Sequence, residues 1–489
     1  MQNDLSTHER VRLLIAGRTK ASLGLAVAAA VLLSTVLLIK PGLAARDPLL
    51  EVLIKKGILT PEEARQVEKE ASQLEKVREQ QVDQKVKAAE QKVVDQVDQK
   101  LSSVEKKVEK KTADVKIPEA LKGLKVGVTA YIDYSLGSIP RPHSGSNGLN
   151  KWHLGRGYLN VQKEITPWLH VRYTPDLTQD DSGDWKLRQK YLYVEFRPPN
   201  LGRFLTEMRS ELGLGHIPWL DFEEHINPYR MQGTMALERA GVLNSADLGI
   251  SIRGNLGGRL AEAKTKTGSD HYDGRYGSWH IGVYNGGGYH AKENNHNKPV
   301  EYRVTLRPLP DHLPGLQLSY SGIYGKGNKG YAPDWIVHLG MLSFQHPRFI
   351  LTAQTFASKG NQAGNWTTDA HKSLWTRGYS IFGDVKLPIV LLGYERLHAF
   401  FRTDWFNADE EQVVSPSARY TKLITGLACY VYKNNFFTVG YERTWYGRDY
   451  GKDKGTGYNG TSDTVASLRT NGLNLGKDHR FQVVYQINF

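Results

Sequence analysis

The chain has 489 residues, 64 Lys and Arg against 51 Asp and Glu, a formal net charge of +13, 25 Tyr, 10 Trp and one cysteine. Plentiful aromatics exclude a disordered composition. The lone Cys429 excludes an internal disulfide framework, a cysteine-rich metal site and covalently attached c-type haem, so no cofactor is expected. The charge is dilute: +3 in residues 1–45, +1 in 46–123 and +9 across 124–489, with no polybasic arm, so no nucleic acid is expected as a partner.

In residues 1–45, Arg10, Arg12, Arg18 and Lys20 precede an apolar run from Ala21 to Ile39, and Ala44-Ala45 follow. That order predicts a secretory signal peptide cut after Ala45. No other apolar run approaches the length of a membrane-crossing helix, roughly 18 residues, which excludes a helical multi-span protein. Residues 46–59 predict a short amphipathic helix ending at Gly57. Thr60-Pro61-Glu62-Glu63 opens a second helix, with Thr60 as cap, Pro61 in the first turn and Glu63 closing a capping box. Residues 60–123 form a helix and linker. Val82, Val86, Ala89, Val93, Val97, Leu101, Val104 and Val108 make one narrow stripe, the seam of a coiled coil.

From Leu124 the period becomes two. Val126, Val128, Ala130, Ile132, Tyr134 and Leu136 alternate with Gly127, Thr129, Tyr131, Asp133 and Ser135. Strands are predicted at 124–137, 152–163, 167–175, 186–197, 203–215, 246–256, 277–286, 299–308, 315–324, 334–345, 348–358, 373–386, 395–407, 417–431, 434–447 and 478–489. Many are near ten residues long, the length that crosses a bilayer when tilted. Long polar loops, including 138–151, 176–185 and 216–245, alternate with tight links such as Ile165-Thr166, His346-Pro347 and Lys433-Asn434. The stretch 257–276 is a long link on the short-turn side. This asymmetry predicts an all-β transmembrane barrel of 16 antiparallel strands over 124–489. Trp168, Trp405, Trp445, Tyr485 and Phe489 fall near strand ends, where interfacial girdles form.

The run L-L-x-x-L-x-x-K-G-I-L-T-x-E-E-A, from Leu49 to Ala64, resembles the phosphate-selective porins of the O and P type. Asp247-Leu248-Gly249-Ile250 is similar to the R-D-L-G-V element of that family, with Ala246 where the family often has Arg. The resemblance implies a Gram-negative outer-membrane porin, a homotrimer of water-filled barrels in lipid, each narrowed by a loop in the place of 216–245. The N-terminal helix would then lie in the periplasm. The implied cargo is small hydrophilic solutes, with phosphate or other anions preferred.

Alternation assigns side chains to the lumen. The positive candidates are Arg156, Arg172, Arg209, Arg253, Arg303, Arg307 and Arg402. The negative ones are Asp133, Glu195, Glu207, Glu211, Glu301, Asp404 and Glu442. The constriction loop adds Asp221, Glu223, Glu224 and Glu238 against Arg230 and Arg239. This balance departs from a phosphate route, where guanidinium forks would cluster at the loop. Glu223-Glu224-His225 is explained by a charged pore loop without catalysis, and no G-x-S-x-G, H-E-x-x-H or P-loop string occurs. The 16 His show no tight ligand spacing, so neither enzyme nor metal site is expected. Two alternatives remain. One is a barrel scaffold around a partner, as in a porin–cytochrome conduit. The other is an outer-membrane tether whose coiled coil of some fifty residues, reaching roughly 75 Å, contacts the cell wall.

Overall fold

The computed structural model describes residues 121–141, 145–180, 182–368, 370–391, 394–413, 418–447 and 478–489, with scattered positions between 54 and 70. The chain divides into two compact units, 1–107 and 108–489. In the first, Gly57 adopts a left-handed φ of 69° and its amide donates to the Ile54 carbonyl at 3.0 Å, ending a helical turn. A capping box opens the next helix. The Thr60 amide donates to Glu63 Oε2 at 2.8 Å, and the Glu63 amide donates to Thr60 Oγ1 at 3.3 Å. The expected signal segment and the coiled-coil seam beyond residue 70 lie outside the described residues.

The second unit is a closed antiparallel barrel of sixteen strands. Its first half comprises β1 (Leu124–Arg141), β2 (Gly145–Thr166), β3 (Leu169–Gln179), β4 (Trp185–Phe196), β5 (Leu205–His216), β6 (Ala246–Leu256), β7 (Gly277–Tyr284) and β8 (Val300–Leu306). Then come β9 (Leu316–Lys326), β10 (Asp334–His346), β11 (Phe349–Lys359) and β12 (Trp375–Lys386). A small ribbon of β13 (Val390–Leu391) and β14 (Tyr394–Glu395) stands apart from the barrel. The circuit finishes with β15 (Leu397–Asn407), β16 (Arg419–Tyr432), β17 (Asn435–Tyr446) and β18 (Asp478–Asn488). β1 pairs with β18 from Thr129↔Asn488 to Ser138↔His479. Phe489 finishes the seam by exchanging backbone bonds with Val128 at 3.0 and 3.2 Å.

The faces follow the alternation. Val126, Ile132 and Leu136 are exposed, whereas Tyr131, Asp133 and Ser135 are buried. The same inversion recurs on β8, where Val304 and Leu306 face out and Glu301, Arg303 and Thr305 face in. Closure gives every barrel strand a partner on both sides, though β4 and β5 pair only from Leu192↔Leu214 to Phe196↔Ser210, and an apolar outer band over a polar interior suits a hydrocarbon surround. Two expected long loops are corrected. Over 138–151, β1 and β2 continue as paired strands up to Arg141↔Gly145, in a mostly polar stretch where alternation is not visible. Over 176–185 the strands run on to a turn at 180–184, where Asp180 accepts the amides of Ser182 and Asp184 at 3.0 and 2.9 Å.

Candidate functional site: a loop inside the barrel

After β5 the chain leaves the wall at Ile217-Pro218 and forms two short helices, α1 (Leu220–Ile226) and α2 (Ala236–Arg239). Arg303 Nε on β8 donates to the Pro218 carbonyl at 3.1 Å, and Gln354 on β11 donates to Glu223 at 2.9 Å. The Tyr229 hydroxyl donates to Asp384 on β12 at 2.7 Å. Gln232 donates to Gln482 on β18 at 3.1 Å and accepts from Thr438 on β17 at 3.3 Å. Lys190 on β4 donates to Ser245. A segment that touches strands on all sides of a closed barrel lies in its lumen.

The loop is held mainly by apolar contact, which reading its charges alone had missed. Trp219, Leu220, Phe222, Met235, Leu237 and Val242 pack against inner-face Trp335, Val337, Leu339 and Met341 of β10, with Phe356 and Phe406. Tyr229 and Met231 pack on Phe382, Phe400, Ile424 and Phe436, and Tyr229 stacks on Phe400 with ring centroids 4.3 Å apart. The loop thus covers the β9–β12 and β15–β18 walls and leaves the β2–β6 side less covered.

Behind the loop the charges are sealed. Arg402 Nε donates to Asp404 at 2.8 Å, and Arg239 Nε lies 3.9 Å from the same carboxylate. Arg303 is fully buried and its guanidinium stacks over Phe222 at 4.2 Å. Arg307 donates to the Pro314 carbonyl, and Glu301 is buried beside Arg303 in sequence. Glu442 holds Lys422 at 3.1 Å and Arg480 at 2.9 Å, two cations absent from the expected set. Within the loop, Arg230 donates to Glu238 at 2.6 and 2.8 Å and to Glu224. Burial pushes the Glu223 carboxyl up to about 7, against the Arg402 charge and donors from Trp219 and Gln354.

The other side carries Arg156, whose Nη1 donates to Asp176 at 3.0 Å, and Arg172, bonded to Thr174 and Asn160 at 3.0 and 3.1 Å. Arg253 bridges Glu211 at 3.0 Å and Asp221 at 2.7 Å, and Arg209 stands opposite Arg253 in register. His153 meets Asp133 at 3.1 Å, and Arg197 meets Glu195 at 2.8 Å. Burial opposes ionisation of Asp221, yet His216 and Arg253 hold its carboxyl well below the usual range.

Glu207 corrects the expected face. The β5–β6 register shifts between Thr206 and Arg209, so Glu207 falls in a bulge at φ 51° and pairs with Arg259. It still lines the cavity beside Arg209, but from the bulge rather than from the regular face of the strand. A second bulge hid two functional cations. Thr174 pairs with Tyr191 but Pro175 with Gln189, so the extra residue on β4 turns Lys190 and Arg188 inward. Arg188 reaches Asp176 at 3.3 Å, and Lys190 sits 4.2 Å over the Tyr289 ring. Pro175, which cannot donate to a ladder, was the available signal.

A cavity of about 390 Å³ opens on this side, lined among others by Arg172, Glu195, Arg209, Asp221, Arg253 and His271. Among the described residues, no group of three His, Cys, Asp or Glu is placed to hold a metal ion.

No protein-family profile matches the chain, and no curated relative matches. Solved structures are similar in outline. An anion-selective porin from Comamonas acidovorans is 11% identical with a TM-score of 0.47, over 75% of this chain and 99% of that one. OmpF of Salmonella typhi, in complex with daunomycin, is 10% identical with a TM-score of 0.46, over 75% and 97%. The outer-membrane channel DcaP of Acinetobacter baumannii is 12% identical with a TM-score of 0.41, over 76% and 99%.

Proposed function

We propose that the chain is a Gram-negative outer-membrane porin that passes small hydrophilic solutes or ions by diffusion, with a mild preference for anions such as phosphate. The carrying observation is the loop 217–245 inside a closed barrel, seated on the β9–β18 walls and leaving a charged cavity beside β2–β6. Solute then moves through a passage narrowed by the loop, and selectivity comes from the charges lining it. Arg156 and Arg188 share one carboxylate, Asp176, while among the described residues Arg172 makes no ion pair and is bonded to Thr174 and Asn160. That excess on β2–β4 favours anions. The signal peptide, a periplasmic coiled coil and a homotrimer complete the reading, which assigns no chemical step and no cofactor.

Reversal potential in a planar bilayer under a KCl gradient, repeated with phosphate, tests this. Stable anion-favouring channels blocked by phosphate support it in full. Channels without that bias keep the porin and discard the preference. Folded protein that forms no channel overturns the porin. The tether is then favoured over the conduit, because the inner loop obstructs a protein-sized guest.

A further inference from the structure

Among the described residues, the link between β6 and β7 is the longest at its end of the barrel. β2–β3, β10–β11 and β16–β17 each turn within two residues at the same end of the barrel, whereas this link runs over 257–276. It leaves the wall through Gly257 and Gly258, both at left-handed φ near 75°. It then forms α3 (Ala263–Thr267) against β10. Gly268 comes so near the β10–β11 turn that a Cβ would lie 3.3 Å from Pro347 Cα. The link thus passes β7, β8 and β9 across the short-turn end. Its arms are tied, Leu260 N to the Asp273 carbonyl at 2.7 Å and Arg275 N to the Gly258 carbonyl at 2.9 Å.

Its tip meets the pore loop. Tyr272 donates its hydroxyl to Asp221 on α1 and accepts from Arg253 Nη1 at 3.2 Å. The ring packs edge-on against Phe222 at 5.2 Å, with the Arg303 guanidinium 4.8 Å from its centroid. The His271 ring lies 4.2 Å from that of His225, also on α1. Tyr272 holds a φ of 50°, a conformation that bulky L-residues rarely adopt and that persists only where surrounding contacts impose it.

We propose that the 257–276 link is a second constriction element: a strap across the short-turn mouth that latches α1 in place through Tyr272 on Asp221 and so sets the aperture. The proposal rests on the porin reading only for the word aperture. The latch itself is a statement about α1. Tyr272 is a positioning residue, acting through Asp221 and Phe222.

The test uses the full-length protein and three variants, Tyr272→Phe, Tyr272→Ala and Asp221→Asn, each first checked for a folded barrel by heat-modifiable gel mobility. Hydrogen exchange of the α1 amides reads the latch whether or not the protein conducts. The expected result is faster α1 exchange in all three variants, greatest for Tyr272→Ala, with β10 amides unchanged. The Asp221→Asn/Tyr272→Phe double variant should do less than the sum of the two single ones, because both weaken the Tyr272–Asp221 bond while Asp221→Asn alone also weakens the Arg253 pair. In bilayers, Tyr272→Ala should raise single-channel conductance and add flicker, while Tyr272→Phe keeps the wild-type level with added flicker. Unchanged α1 exchange in folded Tyr272→Phe and Tyr272→Ala overturns the latch. Faster exchange without any wild-type channel keeps the latch and overturns the porin. Faster exchange with unaltered conductance in Tyr272→Ala overturns the aperture role.

Discussion

Arg230→Ala tests whether charge holds the loop closed upon itself. The guanidinium gives Glu238 two bonds, at 2.6 and 2.8 Å, and Glu224 a third. The side chains of Arg230 and Glu238 are 9% and 4% exposed, so that arm behaves as a buried pair, while Glu224 at 27% is partly screened. Removing one partner of a buried pair costs about 3–5 kcal/mol, because the other charge is left uncompensated. The exposed arm adds no more than about 1 kcal/mol. At about 1.4 kcal/mol per tenfold, the population with a displaced loop rises roughly 10²- to 10⁴-fold. The loop also loses one of the two arginines that face its four acids, Asp221, Glu223, Glu224 and Glu238. Single-channel recording under a KCl gradient should therefore show flicker between sublevels and a reversal potential displaced toward cations, with Arg230→Lys in between. A folded Arg230→Ala barrel with wild-type conductance, noise and reversal potential would refute the argument and leave the apolar seat and the bonds to the wall as the tethers.

Trp335→Ala empties the largest fully buried side chain beneath the loop; at about 3–5 kcal/mol for such a cavity it should loosen the loop and admit larger sugars in liposome swelling. Arg172→Gln with Arg188→Gln should displace the reversal potential toward cations, whereas Arg402→Met with Asp404→Leu, an already neutral sealed pair, should leave it unmoved. Glu223, raised to about 7 by burial, binds its proton more tightly in the seated loop than when released. Its contribution is therefore present below the ordinary carboxyl value of 4.5 and lost as pH rises through about 7, so Glu223→Gln should abolish the extra α1 hydrogen exchange seen at pH 8 relative to pH 5. His271 has the opposite sign. Burial and His225 lower its pKa, with Asp221, Asp270 and Asp273 pulling the other way and Arg253, His216 and Tyr272 around Asp221. Its latch contact is weakened as pH falls below the ordinary imidazole value, and His271→Gln should remove that acid-induced flicker.

Much of the barrel was legible because a bilayer-crossing strand must alternate. All sixteen strands fall where period two placed them, and the missed length in β1 and β2 is polar on both faces, where alternation gives no contrast. Bulges were not legible, since one extra residue leaves composition unchanged while reversing every face beyond it. That is why Glu207 was assigned inward on a regular face and Lys190 and Arg188 were passed over. The apolar seat did leave a mark. Trp335-Ile336-Val337 and Leu339 to Leu342 make β10 apolar on both faces, which a strand between lipid and water would not be. The loop answers it with Trp219, Leu220, Phe222, Met235 and Leu237, visible in the sequence but outweighed there by the acids between them.

The seat changes what the balanced charge count means. Seven basic and seven acidic lumen candidates would cancel if all faced one stream of water. They do not, because the loop divides them. Arg303, Arg307, Arg402, Asp404 and Glu442 lie buried behind it, bonded to each other, to backbone or to neighbouring side chains. Such groups hold the loop and contribute little field to a passing ion. The groups beside the cavity are another population, in which Arg172, Arg209 and Arg253 meet Glu195 and Asp221, with Arg156 and Arg188 on the adjacent strands. Low-dielectric walls focus the field of whichever charges remain wet. Selectivity therefore follows the β2–β6 wall and the loop edge that faces it. Moving one cation there should outweigh neutralising a whole sealed pair, an inequality that the two double variants measure directly.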